Sequence, residues 1–233
     1  MRCFSLFSGI GGFDLAFQRH GHEIVGGCEI DEYARTIYAR HFPGIKIWRN
    51  ATEIDPKEIP DHDVFCAGFP CQAFSVAGKR IGFGEQRGTL FFEIARIARQ
   101  KRPKFLLLEN VLGLLNHDNG RTLTHIIATL DEMGYDAEWQ TLNSKNWGVP
   151  QNRERVFVIG YLRGKPRPKV FPLMGEANSY SCQSESAKTA VARTISGGGH
   201  TGGNHSGMTI LQLKIVYINQ ILLMLHLRLQ LII

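Results

Sequence analysis

The sequence predicts a doubly wound α/β sheet, and three observations predict it. Short apolar runs alternate with amphipathic stretches from residue 2 to about residue 161. Glycine, proline or a short polar residue punctuates nearly every change from one to the other. The polar residues of chemical interest then fall at the ends of the apolar runs, where sheets of this kind bind their ligands.

Taken in order, RCFSL at 2–6 reads as a short buried strand, followed by the turn SGIGG and an amphipathic run, FDLAFQRH, stopped by Gly21. A second strand spans 23–28 and runs into Glu29. Asp31 is placed to cap a helix, DEYARTIYARHF, which must end before Pro43. VFCAG at 64–68 is a third apolar strand that leads into FPCQAFS. Residues 88–101 have helical period, and KFLLLEN at 104–110 is a strand that ends in two polar residues. An amphipathic helix from Gly120 to Met133 is closed by Gly134, and strands are expected at 136–142 and 155–161. Ser8–Gly12, Glu29, Pro70–Cys71 and Glu109–Asn110 all fall just after strands, so all four are expected on one rim.

Bulk properties restrict the partners. With 233 residues, 43% hydrophobic and 21% charged, the chain has the make-up of a globular protein with a real core. Its net charge of +6 suits a polyanion, although a modest positive excess is common. The cysteines at 3, 28, 66, 71 and 182 form no CxxC pair and no Cys/His set with zinc spacing. No metal is expected, and the odd count points to a reducing cytoplasm. Before residue 210 nothing is long and apolar enough to cross a membrane, and a monomer is expected. From about residue 164 the composition turns to Pro, Gly, Ser and Lys. The domain reading is therefore a main unit at 1–163, which holds the candidate catalytic and ligand-binding residues taken up next, a linker and the start of a second region at 164–209, and a Leu/Ile-rich tail at 210–233.

Six clusters carry chemistry. In FSGIGG, Gly9, Gly11 and Gly12 allow a ligand close to the backbone at a helix N-terminus, though a plain strand–helix turn has the same residues. Glu29, one helix and one strand later, is placed to accept from the two hydroxyls of a ribose, or is a solvated strand end. Pro70 stiffens the backbone before Cys71, which enters a segment rich in glycine and cations, the setting a reactive thiolate needs. Cys66, inside VFCAG, lacks that setting and reads as core. Lys79, Arg80 and Arg87, interleaved with glycines, form either a phosphate-binding loop or an ordinary charged surface loop. Glu109, at the end of LLLEN, is either a carboxyl at a partly dry rim, able to hydrogen-bond a heterocycle nitrogen with a raised pKa, or the cap of a turn. Arg153 and Arg155 share one side if extended and suit a base oxygen or a phosphate, or are surface charge at a strand entrance.

FSGIGG, GFPCQAFS, RGTLFFEIARI, ENV and QNRERV, in this order, resemble the cytosine-5 DNA methyltransferase family of the bacterial or phage restriction-modification type, over about residues 2–163. The resemblance implies the methyltransferase version of the doubly wound sheet, S-adenosylmethionine as cofactor and double-stranded DNA as partner. It implies that Cys71 attacks C6 of a cytosine, that Glu109 contacts N3 and the exocyclic amine, that Arg155 contacts the flipped base and that Arg153 supports the catalytic loop. Gln72 matches the part of that loop that approaches DNA, and Phe7, Gly9, Gly11, Gly12, Glu29, Ile30 and Leu90 match cofactor-contacting positions.

Two departures stand out. Asn50 occupies a position where the family usually has an Asp that meets the adenine amino group. An Asn oxygen still accepts that hydrogen bond, so weaker cofactor binding is expected at most. Further on, residues 192–209 resemble only the entry to the family's target-recognition region, and the tail from about 210 resembles none of it. No Asp or Glu follows Glu185, and a premature or out-of-frame ending is the expectation drawn from that shift. The alternatives to an active enzyme are a non-catalytic fragment, one half of an enzyme completed by a second polypeptide, and a transfer-RNA cytosine methyltransferase.

Overall fold

Near-continuous apolar runs, buried on both sides, in five strands require a sheet covered on both faces. The computed structural model describes residues 1–69, 90–147, 150–168 and 170–173. Its strands are β1 (Arg2–Leu6), β2 (Glu23–Cys28), β3 (Ile47–Trp48), β4 (Val64–Gly68), β5 (Phe105–Val111), β6 (Tyr135–Asn143) and β7 (Glu154–Leu162). Its α-helices are α1 (Gly12–Arg19), α2 (Glu32–His41), α3 (Leu90–Lys101) and α4 (Arg121–Glu132).

The seven strands lie in the order β3-β2-β1-β4-β5-β7-β6. The first five are parallel, and β7 and β6 are antiparallel to their neighbours. From β1 the chain winds outward to β2 and β3, then crosses back to β4, so the winding reverses between β1 and β4. Alternation along the strands separates two cores. Phe4, Leu6, Phe65, Leu106, Leu108 and Val158 pack with α3 and α4. Cys3, Val64, Cys66, Leu107 and Phe157 pack with Ala16 and Phe17 of α1, Tyr38 of α2 and Phe42 just beyond it. Helices thus cover both faces, the doubly wound arrangement expected from the sequence.

Most element ends agree with the sequence reading because local chemistry sets them. Asp31 caps α2 through Ala34 N–H at 2.7 Å, a contact worth about 1 kcal/mol. Three features depart from it. β3 is two residues long, too short to leave a periodic signal. Glu109 and Asn110 lie within β5 rather than after it, because the ladder to β7 continues to Val111 opposite Arg155. Beyond residue 163, Val170, Phe171 and Leu173 are buried in the α1/α2-side core, and the amide of Gln140 on β6 exchanges hydrogen bonds with both backbone groups of Leu173. Among the described residues, no helix is long and apolar enough to cross a membrane.

Candidate active site

The carboxyl ends of β1, β2, β4 and β5 form one rim. At β1 the chain turns sharply, with Phe7 (φ 58), Gly9 (φ 56) and Gly11 (φ 89) all left-handed. A side chain at Gly11 would also place its Cβ 2.5 Å from a ring carbon of Phe42. Nothing lies within 4 Å of the corresponding position at Gly9, so the turn opens onto free space there. Gly12 starts α1 and is buried.

Glu29 closes this turn from the side. Its carboxylate accepts from Gly9 N–H at 2.7 Å and from Asp31 N–H at 2.9 Å. Arg35, which the sequence reading did not single out, donates to the carbonyls of Glu29 (2.9 Å) and Ile30 (2.5 Å). His41 donates from Nδ1 to the Ile10 carbonyl at 3.0 Å. The Ile30 side chain is left 74% exposed beside the carboxylate. Asn50 caps the short 3-10 turn that follows β3. Its Oδ1 accepts from Thr52 N–H (3.1 Å) and Oγ1 (3.0 Å), and its amide donates to Glu53 (2.7 Å). Both lone pairs of that oxygen are already engaged.

Across the rim, β5 and β7 bring together three residues that the sequence had set well apart. Arg155 Nε lies 3.0 Å from Glu109 Oε1, and Arg153 lies 4.0 Å from the same oxygen. All three side chains are at most one-fifth exposed. Because β7 is antiparallel to β5, its entrance sits at the exit of β5, which is why the arginines share this rim. The other Glu109 oxygen faces Gly68, where an added Cβ would stand 3.3 Å away. Arg153 precedes the strand but is held there by Ser144 N–H, which donates to its carbonyl at 3.0 Å.

Asn110 supplies a further link. Its buried amide donates to the Phe69 carbonyl at 3.0 Å, fixing the backbone two residues before Cys71 in sequence. Sequence alone offered only a polar residue after an apolar run. Leu90, half-buried, begins α3. Cys71, Gln72, Lys79, Arg80 and Arg87 lie outside the described residues. Cys3, Cys28 and Cys66 are buried, and burial pushes each thiol well up, Cys28 to about 12, so none of these three is a thiolate near neutral pH.

Residues 1–214 match the model of the family described as C-5 cytosine-specific DNA methylase. The chain belongs to that family. It is 49% identical over 156 residues to the type II methyltransferase M.NgoBI of Neisseria gonorrhoeae, a match covering 67% of this chain and 49% of that one. To the type II methyltransferase M.HhaI of Haemophilus parahaemolyticus it is 48% identical over 159 residues, covering 68% and 48%. Among solved structures, a mutant of DNMT2 from Spodoptera frugiperda superposes with a TM-score of 0.61 at 26% identity, covering 72% of this chain and 51% of that one. This cytosine-methylase family member thus spans about half the length of the curated relatives it matches.

Proposed function

We propose that this chain carries the catalytic part of a DNA (cytosine-5-)-methyltransferase that moves a methyl group from S-adenosylmethionine to a cytosine in double-stranded DNA. The observation that carries the proposal is the gathering of Glu109, Arg155 and Arg153 on the rim that also holds the glycine turn and Glu29. One cluster suits a base edge and the other a nucleoside cofactor. The same reading makes the protein a cytoplasmic monomer of a restriction-modification system.

The residues fit the cofactor. Each Glu29 oxygen accepts one backbone N–H, and a carboxylate with about four acceptor positions keeps room for a ribose diol. Ile30 presents an exposed apolar surface to an adenine, and Gly9 leaves space above the turn. Phe7, Gly11, Gly12 and Leu90 complete the proposed cofactor set. Asn50 must release one Thr52 contact to accept from an adenine amino group, which agrees with weaker binding at that position. When bound, the cofactor supplies an electrophilic methyl group.

A stacked cytosine hides C6, so the base must be flipped out of the duplex, at a cost of a few kcal/mol. Lys79, Arg80 and Arg87 neutralise phosphates while Gln72 approaches the DNA. The Cys71 thiolate adds to C6, and the electron pair of the C5–C6 double bond moves to C5 and toward N3. Glu109 meets N3 and the exocyclic amine and stabilises the charge that develops. Arg155, adjacent to Glu109, reaches the neighbouring base oxygen, and Arg153 backs both. C5 would then take the methyl group that the cofactor supplies, the pair of the broken carbon–sulfur bond staying on the sulfur. Loss of the C5 proton restores the double bond and expels Cys71 as thiolate.

Methyl transfer from tritiated S-adenosylmethionine to unmethylated duplex DNA tests this, with Cys71→Ser in parallel and transfer RNA as a second substrate. Incorporation into DNA by the unmodified chain, abolished by Cys71→Ser, supports the proposal. Incorporation into transfer RNA alone moves the substrate class, and none into either leaves a fragment without activity of its own. Because the chain matches about half the length of its relatives, we also propose a second reading, in which sequence beyond the matched part, in this or a second polypeptide, completes the activity. Stimulation by an added candidate polypeptide would favour it.

A further inference from the structure

Beneath the glycine turn lies a buried polar chain that the proposed mechanism does not use. Asp14 of α1 and Ser5 of β1 are each 1% exposed, and Ser8 is 9% exposed. Ser5 Oγ lies 2.9 and 2.7 Å from the two Asp14 oxygens and 2.8 Å from Ser8 Oγ. Ser8 Oγ in turn accepts from Cys28 N–H at 3.0 Å, one residue before Glu29. One orientation links them: Cys28 N–H donates to Ser8, the Ser8 hydroxyl to Ser5, and the Ser5 hydroxyl to Asp14, with the Ser5 and Cys28 carbonyls also within reach of the Ser8 hydroxyl at 3.1 and 3.2 Å. The chain therefore runs from α1 through β1 and the turn to the end of β2. It leaves little slack, since a Cβ at Gly27 would come within 2.7 Å of both Ser8 Oγ and the Tyr38 hydroxyl.

We propose that Asp14 is a positioning residue for the cofactor turn, holding Ser8 against Cys28 through Ser5 and so keeping Gly9 N–H and the Glu29 carboxylate together. The inference rests on the cofactor-binding reading above. Asp14 touches no ligand itself, and its effect passes through the two serines.

The environment supplies a readout that a purely structural residue lacks. Burial pushes the Asp14 carboxyl up to about 7, against the opposing pull of its hydrogen bond from Ser5. The titratable groups around it are Cys3 of β1, Tyr38 of α2 and Cys66 of β4, all driven far upward by burial. Asp14 is then the group in this cluster that changes charge near neutrality. Its ionised form is the stronger acceptor for Ser5, so the Ser5 hydrogen bond tightens, and the cofactor with it, as the pH rises through 7. The buried charge meanwhile lowers the stability of the fold as a whole as the pH climbs from the ordinary carboxylate range to about 7.

Equilibrium binding of tritiated S-adenosylmethionine to the full chain between about pH 6 and 8 tests this, using the unmodified protein, Asp14→Ala, Asp14→Asn and Ser5→Ala. The unmodified chain should bind more tightly toward pH 8. Asp14→Ala and Ser5→Ala should weaken binding by roughly tenfold, the size of one charge-assisted hydrogen bond. The isosteric Asp14→Asn should stay within about threefold of the unmodified protein at pH 6 and lose the pH dependence, because an amide oxygen accepts from Ser5 but does not ionise. If Asp14→Ala fails to fold, Asp14→Asn and Ser5→Ala decide the matter. Unmodified protein that binds, with variants matching it in affinity and pH profile, overturns the positioning role and leaves the cofactor reading standing. Unmodified protein that does not bind overturns the cofactor reading and the inference with it.

Discussion

The two carboxylates of the rim are held in opposite ways. Glu29 is fixed by backbone N–H groups from Gly9 and Asp31, contributed by residues close to the turn it closes. Glu109 is fixed by the guanidinium groups of Arg155 and Arg153, at and just before the start of a strand that follows a helix and another strand. The first arrangement depends on backbone conformation and the second on charge and strand pairing. Substitutions should therefore separate them: a change of backbone freedom damages the β1/β2 end and a change of charge damages the β5/β7 end.

Charge removal at Glu109 should give the largest effect. Glu109→Gln keeps the shape and leaves two arginines without their carboxylate. If Glu109 stabilises charge developing on the base, methyl transfer should fall by about a hundredfold or more, and the melting temperature should fall by several degrees because two largely buried arginines lose their carboxylate. Cofactor affinity should stay within about threefold, since the glycine turn does not depend on this pair. A hundredfold loss of cofactor affinity instead would mean that the two ends are not separable. Steady-state methyl transfer and equilibrium cofactor binding on the same preparation would tell the cases apart.

Gly11→Ala attacks the other end. The new Cβ stands 2.5 Å from the Phe42 ring, at a backbone φ of 89 that L-residues avoid. Both penalties fall on a buried contact, so urea denaturation should show a loss of about 2–3 kcal/mol. Cofactor binding should weaken with it, whereas the ion pairs of Glu109 need not change. An unchanged denaturation midpoint would show that the turn relaxes more easily than its packing suggests.

The two ends also differ in how far sequence alone could describe them. The glycine turn, Glu29 and the Asp31 cap lie in one stretch, and each follows from a local rule about turns, strand ends or caps. The place of Glu109 on the rim was equally visible, because an apolar run ended there, although the strand itself continues to Val111. That Arg155 would meet it was not, since the order and direction of strands leave no mark on a single strand. Asp14 was missed for a related reason. Within FDLAFQR it looks like the polar position of an amphipathic helix, and only the packing of α1 back onto β1 sets Ser5 against it. Asn110 reaching Phe69, 41 positions away, had no local signature at all.

A third carboxylate–guanidinium cluster sharpens the comparison by holding the chemistry constant and changing the exposure. Arg163, just beyond β7, pairs with Asp136 at 2.8 Å and with Asp131, while Arg167 reaches Asp136 at 3.2 Å. These side chains are 40–66% exposed, against 17–20% in the Glu109 cluster. In water-like surroundings the attraction is screened, and long side chains lose freedom to make it. Arg163→Ala should therefore leave the melting temperature within about 2 °C of the unmodified protein and methyl transfer unchanged. A clear fall in either would mean that exposure does not separate the two clusters, and that the weight placed on Glu109 must come from its position on the rim alone.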